Sequence, residues 1–536
     1  MSRWWLEKRG WGGIPWLLAA IPLLGLARLA PETGAGLWLR LASATLVLLL
    51  PGRVVARAIG RRSGSATLTW TVLAIAVALA LTFAVHGSLA LTLAVLAAIA
   101  VVALPFSLRA AEEPVVRGRL LVVLAGIAFG VALWHVAGIL HGDALFHLGR
   151  VRKLDDFGAL SLRAVDEFRD GGLHPGYAFP LWHGFLALVS KLAGVDPGAV
   201  VLHEPTVLAP LAFLVAFESG LAVFRSAWAG AAVLLATVAL YGLAPGEGGA
   251  FATLALPGTV ARQLLIPALL ATFFVFVRGP SWGVAATLAA ASVNLALVHP
   301  TYALFLALPL GGYVVVRLLV ARTDLRTAPG ALALVGVPAA LVFAWLAPIV
   351  AETASHSPSA AEKRRAFHQY ASQLDVFSSH SYRLAPEVVA RSGAVAVAAL
   401  ALIPLAGLAA RRRWSSFVLG GSLVVLGIEL WTLLFPRFAD LVSISQARRA
   451  AGFVPFAFAF AGGWAVLARL GRWFVLPAAL AAGIVLQRQH PGDFELGLGS
   501  GGPALVAWIA LWGGLAGLVL ALFLFRRRDP VDRMDW

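Results

Sequence analysis

The chain has 536 residues, of which 60% are hydrophobic and 13% charged, and its mean hydropathy is +0.86. This composition excludes a soluble globular protein, and the absence of cysteine excludes disulfides, thiol nucleophiles and cysteine-bound metals. The net charge of +16 favours the basic cytoplasmic loops of a membrane protein over a nucleic-acid-binding surface.

Apolar runs recur from one end of the chain to the other, and each is long enough to cross a bilayer as a helix. They predict an all-α polytopic membrane protein with about sixteen transmembrane helices. The predicted helices are 14–30, 37–50, 68–86, 88–106, 120–140, 198–224, 227–243, 257–278, 281–297, 301–320, 330–350, 386–410, 414–434, 450–469, 473–487 and 503–525.

Charge predicts the topology of these helices. The segment 177–194 carries Trp182, His183 and Lys191 on a polar face, which favours a helix lying in the membrane interface over one that spans it. With that segment outside, the cytoplasmic segments hold 24 Lys and Arg against 7 Asp and Glu, and the exterior segments hold 14 against 15. This bias predicts that both termini are cytoplasmic. The arginine-, alanine- and glycine-rich composition favours a bacterial source, hence the cytoplasmic membrane.

The chain is predicted to have four regions. They are an N-terminal four-helix membrane bundle (1–118), a catalytic membrane core (119–350) with the exterior loop 141–197, a second exterior loop (351–385), and C-terminal membrane helices (386–536). In the second loop, residues 361–376 are expected to form one amphipathic helix. A loop of this length on a compact membrane protein suggests a lid over a site.

The first exterior loop opens with HGDALFHLGRVRKLDDFG, which concentrates ionisable residues directly after an apolar run. Asp143, His147 and Arg150 are spaced four and then three residues apart, so on a helix they share one face. Leu148 and Val151 are then expected to face the membrane. The spacing favours either a site of mixed charge or a salt-bridged juxtamembrane helix.

The order of these features resembles the GT-C class of membrane glycosyltransferases, which includes oligosaccharyltransferase catalytic subunits, protein O-mannosyltransferases and aminoarabinose transferases. The resemblance rests on Asp-x-x-Phe-His at 143–147 just after a membrane helix, a short helix near 144–157, and HPGYAFPLWHGFLALVSKLAG at 174–194 as a second juxtamembrane helix. It covers roughly 120–320. The signature Trp-Trp-Asp-Tyr-Gly of oligosaccharyltransferases is absent, which argues against transfer to asparagine.

The resemblance implies that Asp143 is the general base, supported by His147, and that a sugar moves from a polyprenyl-phosphate donor to an exterior glycan, lipid or protein acceptor. It implies substrate contacts at His174 and Tyr177. For the recurrent arginine of the class, helical geometry favours Arg150, whereas alignment with the family pattern favours Arg152.

Phosphate on the donor calls for arginine, whose planar fork binds phosphate oxygens in pairs. The candidates at exterior helix ends are Arg262, Arg437, Arg448 and Arg449. His299 is a further candidate contact to donor or acceptor. No metal site is assigned. Asp143 with His147, or His174 with another exterior acid, could contribute to a divalent metal site. Neither pair is enough by itself, because a metal site needs three or four ligands.

Two other functions remain as alternatives. An O-antigen-type polymerase or ligase would use the basic and histidine residues of 351–385. A lipid-linked oligosaccharide flippase or other transporter would show broken helices, charges at mid-membrane depth and paired repeats. The partners expected in each case are lipids and glycans, and no nucleic acid.

Overall fold

The computed structural model describes residues 14–109, 118–166, 172–241, 250–321, 324–352, 359–390, 393–489, 502–526 and 529–531. Within these ranges the chain is almost entirely helical, with one two-stranded antiparallel sheet. The predicted all-α class is therefore confirmed.

Up to Arg278 the α-helices are α1 (Ile14–Ala27), α2 (Gly34–Ala58), α3 (Gly64–Ala84), α4 (Leu89–Arg109), α5 (Arg119–Val136), α6 (Asp143–Asp156), α7 (Leu162–Val165), α8 (Leu181–Ala193), α9 (Pro197–Phe224), α10 (Ala227–Tyr241), α11 (Pro257–Val260) and α12 (Ile266–Arg278). A π-helical turn, Ala261–Leu265, joins α11 to α12.

The later elements are α13 (Trp282–Val298), α14 (Pro300–Val320), α15 (Thr327–Glu352), α16 (Ala360–Gln369), β1 (Leu374–Val376), β2 (Tyr382–Leu384), α17 (Pro386–Val389), α18 (Ala394–Leu402), α19 (Arg413–Leu430), α20 (Phe435–Val442), α21 (Ile444–Ala447), α22 (Phe456–Gln489), α23 (Ala504–Trp508) and α24 (Gly514–Phe523). A second π-helical turn, Ile509–Gly513, joins α23 to α24.

By length and composition, eleven helical segments in the described residues could cross a membrane. They are Gly34–Ala58, Gly64–Ala84, Leu89–Leu108, Arg119–Val136, Pro197–Phe224, Pro257–Arg278, Pro300–Val320, Thr327–Ala351, Arg413–Leu430, Ile444–Gly471 and Ala504–Phe523. Shorter apolar helices lie at Leu18–Ala27, Leu181–Ala193, Ala227–Tyr241, Trp282–Val298 and Ala394–Ala409. The chain is a multi-pass membrane protein, and the figure of about sixteen spans stays a prediction.

The helices predicted at 450–469 and 473–487 meet at a break in α22. Gly471 has a φ of −165° and a ψ of 64°, which lie outside helical geometry, so two helices join there at a kink. The predicted break between the two helices is therefore present at Gly471.

The segment 177–194 forms only the 13-residue helix α8. A helix of that length is about 20 Å long, which is short of the roughly 30 Å hydrocarbon core. Most of α8 is buried, and it packs on α2, α3 and α6. Gly184 allows this contact, because a Cβ there would lie 2.3 Å from a methyl carbon of Leu79. Most of the helix is thus enclosed by protein, and its place in the membrane interface stays a prediction.

The chain divides into two compact units that differ from the four predicted regions. Unit 1 is Met1–Glu218, Phe251–Thr272 and Pro280–His299, and unit 2 is Ser219–Ala250, Phe273–Gly279 and Pro300–Trp536. The first four helices therefore belong with the 141–197 loop. Polar contacts explain part of this, because Asn294 donates to the Thr69 carbonyl at 2.7 Å and joins α13 to α3.

Arg40, a buried residue of α2, contacts two helix ends in unit 1. Its guanidinium donates to the carbonyls of Arg28 and Ala30, just beyond α1, and to those of Ala193 and Gly194, at the end of α8, at 2.6–3.4 Å. Carbonyls at a helix C-terminus have no partner in their own helix and attract positive charge. One arginine thus fixes the C-terminal ends of α1 and α8 to α2.

Unit 2 is built around close contact between α14 and α19. Gly312 and Gly420 face each other there, and a Cβ on either would lie 2.1 Å from the carbonyl oxygen of the other. Near the ends of these helices, Asp324 accepts from Arg317 at 2.9 Å and from Arg413 at 2.8 Å. The absence of side chains at the glycine pair and this charge network fix the register of the two helices.

The second long loop is not the single helix that was predicted for 361–376. Helix α16 begins with a capping box formed by Ser359 and Glu362 and ends at Gln369. Leu374–Val376 then pairs with Tyr382–Leu384 across a serine-rich turn. The prediction was wrong at its C-terminal end, where Leu374–Val376 pairs with the strand Tyr382–Leu384. Tyr382 and Leu384 are buried at alternate positions, and this period of two favours a strand.

The predicted topology can be tested by introducing single cysteines, because the parent chain has none. Ala159 and Gly279 are both exposed and lie in loops predicted to be exterior and cytoplasmic, respectively. In intact cells, Ala159→Cys should react with a membrane-impermeant maleimide, whereas Gly279→Cys should react only after the membrane is permeabilised. The opposite labelling pattern would overturn the predicted orientation.

Candidate active site

The candidate site begins where the chain leaves α5. After Val136 the backbone becomes extended, and Gly142 turns it into α6 with a φ of +56° and a ψ of −129°, a conformation that glycine adopts more readily than other residues. Asp143 is the first residue of α6 and is exposed. A carboxylate in the first turn is stabilised by the partial positive charge of the helix N-terminus.

The two faces of α6 have different surroundings. His147 and Arg150 lie on the buried face together with Leu148 and Val151, which pack within the protein where the sequence had suggested contact with lipid. Arg152 lies on the exposed face and pairs with Asp196 at 3.3 Å. The predicted separation of Arg150 from Arg152 is therefore present, and Asp143 lies at the exposed end of the face that carries His147 and Arg150.

Arg150 is the centre of a buried network. It forms an ion pair with Asp166, and the side chains of both are almost inaccessible. Its guanidinium also donates to the carbonyl of Tyr177 at 2.9 Å and lies 4.7 Å from the ring centroid of Phe146. Asp166 accepts in addition from the backbone N–H of His174 at 2.6 Å. Arg150 and Asp166 thus hold α6 and the segment around 174–177 in a fixed relation.

His147 and His183 form a second buried pair. Nδ1 of His147 and Nε2 of His183 are 2.9 Å apart, so one ring donates an N–H that the other accepts. Burial, with Arg150 and His174 nearby, lowers the pKa of His147 to about 3, and burial holds the pKa of His183 well below its ordinary value. Both rings are therefore neutral at physiological pH.

Four imidazoles surround Tyr177. Their ring centroids lie 5.0–6.2 Å from that of the tyrosine, and they belong to His147, His174, His183 and His299. Burial and Arg150 lower the pKa of His174 to about 4, although Asp166 acts in the opposite direction. Four histidines that are far apart in sequence are thus brought together around one aromatic ring.

Three rings of this cluster remain partly accessible. Phe146, His174 and Tyr177 are half-buried, and their centroids lie 5.7, 5.0 and 6.2 Å apart in pairs. We call these three side chains the ring triangle. Phe146 is three residues after Asp143 on α6, a spacing that makes the two residues neighbours on the helix surface.

The predicted phosphate-binding arginines are divided between the two units. Arg262 belongs to unit 1, where it is half-buried in the π-helical turn before α12. In unit 2, Arg437 is exposed and Arg449 half-buried. Arg448 is buried, donates to Gln373 at 2.8 Å and lies 4.3 Å from the ring centroid of Tyr370. Of these arginines, only Arg262 is in the unit that holds Asp143.

Sequence reasoning did not place Asp166, His183 or Phe146 in the site. Phe146 could have been found, because it follows Asp143 at helical spacing. His183 had a weaker signal as a polar residue in an apolar segment. Asp166 comes 16 residues after Arg150, beyond any helical period, and only the tertiary fold brings the two together.

Among the described residues, no group of three or more His, Cys, Asp or Glu side chains is arranged to hold a metal ion. The divalent metal left open by the sequence stays untested.

The chain was compared with protein-family models, curated proteins and solved structures, and nothing matches it in any of the three comparisons. Function is therefore inferred from the residues of the site.

The lowered pKa values of His147, His174 and His183 predict how stability depends on pH. The unfolded chain takes up protons near pH 6.5, whereas these folded-state rings stay neutral until about pH 4 or below. Above about pH 6.5 these rings are neutral in both states and do not lower the free energy of unfolding. Below that pH the unfolded chain binds more protons, so the free energy of unfolding falls as the pH is lowered. The thermal midpoint of the purified protein in detergent should decrease between pH 7 and pH 5.

The double variant His147→Asn with His183→Gln keeps a neutral hydrogen-bonding pair that cannot take up a proton in this range. Its thermal midpoint should vary less with pH than that of the parent. The exposed residue His141 provides the control, and His141→Asn should leave the parent's pH dependence unchanged. Equal pH dependence in the parent and the double variant would contradict the assignment of the neutral pair.

Proposed function

We propose that the chain is a membrane glycosyltransferase of the bacterial cytoplasmic membrane, similar in design to the GT-C class. It transfers a sugar from a polyprenyl-phosphate donor to an exterior glycan, lipid or protein acceptor. The observation that carries this proposal is the exposed carboxylate of Asp143, which opens α6 directly after an apolar helix and next to the ring triangle.

The reaction uses Asp143 as a general base. The acceptor hydroxyl oxygen attacks the anomeric carbon of the donor sugar while its proton passes to the Asp143 carboxylate. The bond between the anomeric carbon and the phosphate oxygen breaks, and the polyprenyl phosphate leaves with the electron pair. Attack from the side opposite the leaving phosphate inverts the anomeric configuration. An exposed carboxylate suits this role because the acceptor can reach it.

The residues beneath Asp143 act as positioning residues. The terminal nitrogens of Arg150 are engaged by Asp166 and by the Tyr177 carbonyl, and the Nδ1 atom of His147 is engaged by His183. These contacts fix the direction of α6 and hence the place of its first residue. We therefore assign His147 and Arg150 to the support of Asp143, and keep the direct contact with the acceptor hydroxyl for Asp143.

The departing phosphate requires positive charge. Arg262 supports this role because it is in unit 1 and belongs to a π-helical turn, a feature that is frequent at functional sites. An arginine near the end of an apolar helix is costly to keep in a membrane and usually has a functional reason. Arg262 would bind the phosphate oxygens through its guanidinium.

The central test replaces the base and keeps its shape. Asp143→Asn cannot accept a proton at neutral pH, so the rate of sugar transfer should fall roughly 10²–10⁴-fold, the usual share of general-base catalysis. The measurement uses membranes or purified protein with labelled polyprenyl-phosphate sugars and a panel of glycan, lipid and peptide acceptors.

Asp156 provides the matched control, because it is an exposed acid at the other end of the same helix. Asp156→Asn should transfer sugar at the parent rate. Near-parent transfer by a well-folded Asp143→Asn protein would falsify the assignment of the base. Movement of a lipid-linked glycan across the membrane without formation of a glycosidic bond would instead favour a flippase.

A second test concerns the phosphate contact. Arg262→Ala should lower the transfer rate roughly 10²–10³-fold, because loss of a donor to developing charge costs about 2.7–4 kcal/mol. Arg262→Lys keeps the charge but loses the paired geometry, and its rate should lie between those of the parent and the alanine variant. The exposed Arg163 of α7 is the control. Unchanged kinetics in Arg262→Ala would move the role to Arg437, Arg448 or Arg449.

A further inference from the structure

The ring triangle has a chemistry that the proposed reaction does not yet use. A hexopyranose ring has an apolar face of C–H groups and a rim of hydroxyls. Flat aromatic side chains bury the apolar face, and carboxylates accept hydrogen bonds from the rim. Phe146, His174 and Tyr177 supply three flat rings, tilted by 30–49° relative to one another, and Asp143 lies one helical turn from Phe146.

The buried side of the ring triangle is already occupied. The guanidinium of Arg150 lies 4.7 Å from the centroid of Phe146 and 5.9 Å from that of Tyr177, and Arg150 is only 1% exposed. His147 is also buried and packs edge-on against both Phe146 and Tyr177. The accessible surface of the three rings must therefore lie on the side away from Arg150 and His147.

The charge around the ring triangle favours a neutral ligand. Arg150 is balanced by Asp166, and the rings of His147 and His174 are uncharged at neutral pH because of burial and nearby Arg150. Among the residues of the cluster that the structure describes, the remaining charged side chain is the exposed carboxylate of Asp143. An acidic sugar would meet this carboxylate without a compensating free cation among the residues of the cluster.

We propose that the ring triangle is the acceptor subsite, and that the acceptor is a glycan that ends in a neutral pyranose. The apolar face of this sugar packs on Phe146, His174 and Tyr177, and its nucleophilic hydroxyl points to Asp143. This inference rests on the proposed function and selects a glycan from among the three acceptor classes. A lipid alcohol or a peptide hydroxyl has no flat face of this kind.

The test measures binding without transfer. Saturation-transfer NMR on the full chain in detergent or nanodiscs would use methyl glycosides of neutral hexopyranoses, with a methyl uronoside as the charged probe. Phe146→Leu and Tyr177→Leu keep an apolar side chain but remove the flat ring, so each should weaken binding of the neutral glycosides roughly 10-fold. The main chain that Arg150 contacts at Tyr177 is retained in the second variant.

Phe157 provides the matched control, because it is an exposed phenylalanine at the C-terminal end of the same helix. Phe157→Leu should bind the neutral glycosides as the parent does. Parent-like binding by both Phe146→Leu and Tyr177→Leu would overturn the subsite, as would binding of the uronoside in preference to the neutral sugars.

Asp143→Asn separates this inference from the proposed function. Sugar binding that persists in this variant while transfer is lost supports both. Ring-dependent sugar binding in a protein that transfers no sugar would retain the subsite and reject the transferase. Transfer to lipid or peptide acceptors in a protein that binds no neutral glycoside would retain the transferase and reject the subsite.

Discussion

The buried ion pair of Arg150 and Asp166 is the constraint on which the candidate site depends. Burying two charges is expensive, and the cost is offset only when both partners keep nearly all their hydrogen bonds. Here Arg150 donates to the Tyr177 carbonyl, and Asp166 accepts from the His174 N–H. The pair therefore joins α6 and Asp166 to the segment at 174–177. Removal of either partner would leave the other as an uncompensated buried charge, a change that typically costs 3–5 kcal/mol. The accessible rings and Asp143 are positioned through this pair.

Most helices could be predicted from the sequence because a membrane chain must satisfy its backbone within each span. The runs that form α3, α9 and α14 can be recognised as helices from their length and hydropathy alone. The errors occurred where hydropathy is not decisive. The helix predicted for 361–376 ends at Gln369, and the short hairpin at 374–384 that follows it was missed. The division into two units depends on side-chain contacts such as Asn294 with Thr69, which no local pattern reveals.

The site shows a similar limit. Helical spacing gave the faces of α6, including the opposite directions of Arg150 and Arg152. The residue that neutralises Arg150 and the ring that pairs with His147 come from distant segments, so spacing could not find them. These distant partners also change the character of the site. His147 and Arg150 on one helix face suggest an open cluster of mixed charge, whereas in the folded chain both side chains are buried and engaged by His183 and Asp166. The chemistry available to a substrate is therefore left to Asp143 and the partly exposed rings.

The contacts of Arg40 must form in a fixed order during synthesis of the chain. Its carbonyl partners beyond α1 precede it in the chain, whereas Ala193 follows it by 153 residues. At ordinary rates of translation, roughly 5–20 residues per second, the ribosome makes Ala193 about 10–30 s after Arg40. During that interval the guanidinium has partners at only one of its two helix ends. The N-terminal helices are thus made before α8, and the contact of Arg40 with the end of α8 can form only after the segment that carries Asp143, Arg150 and Tyr177 has been synthesised.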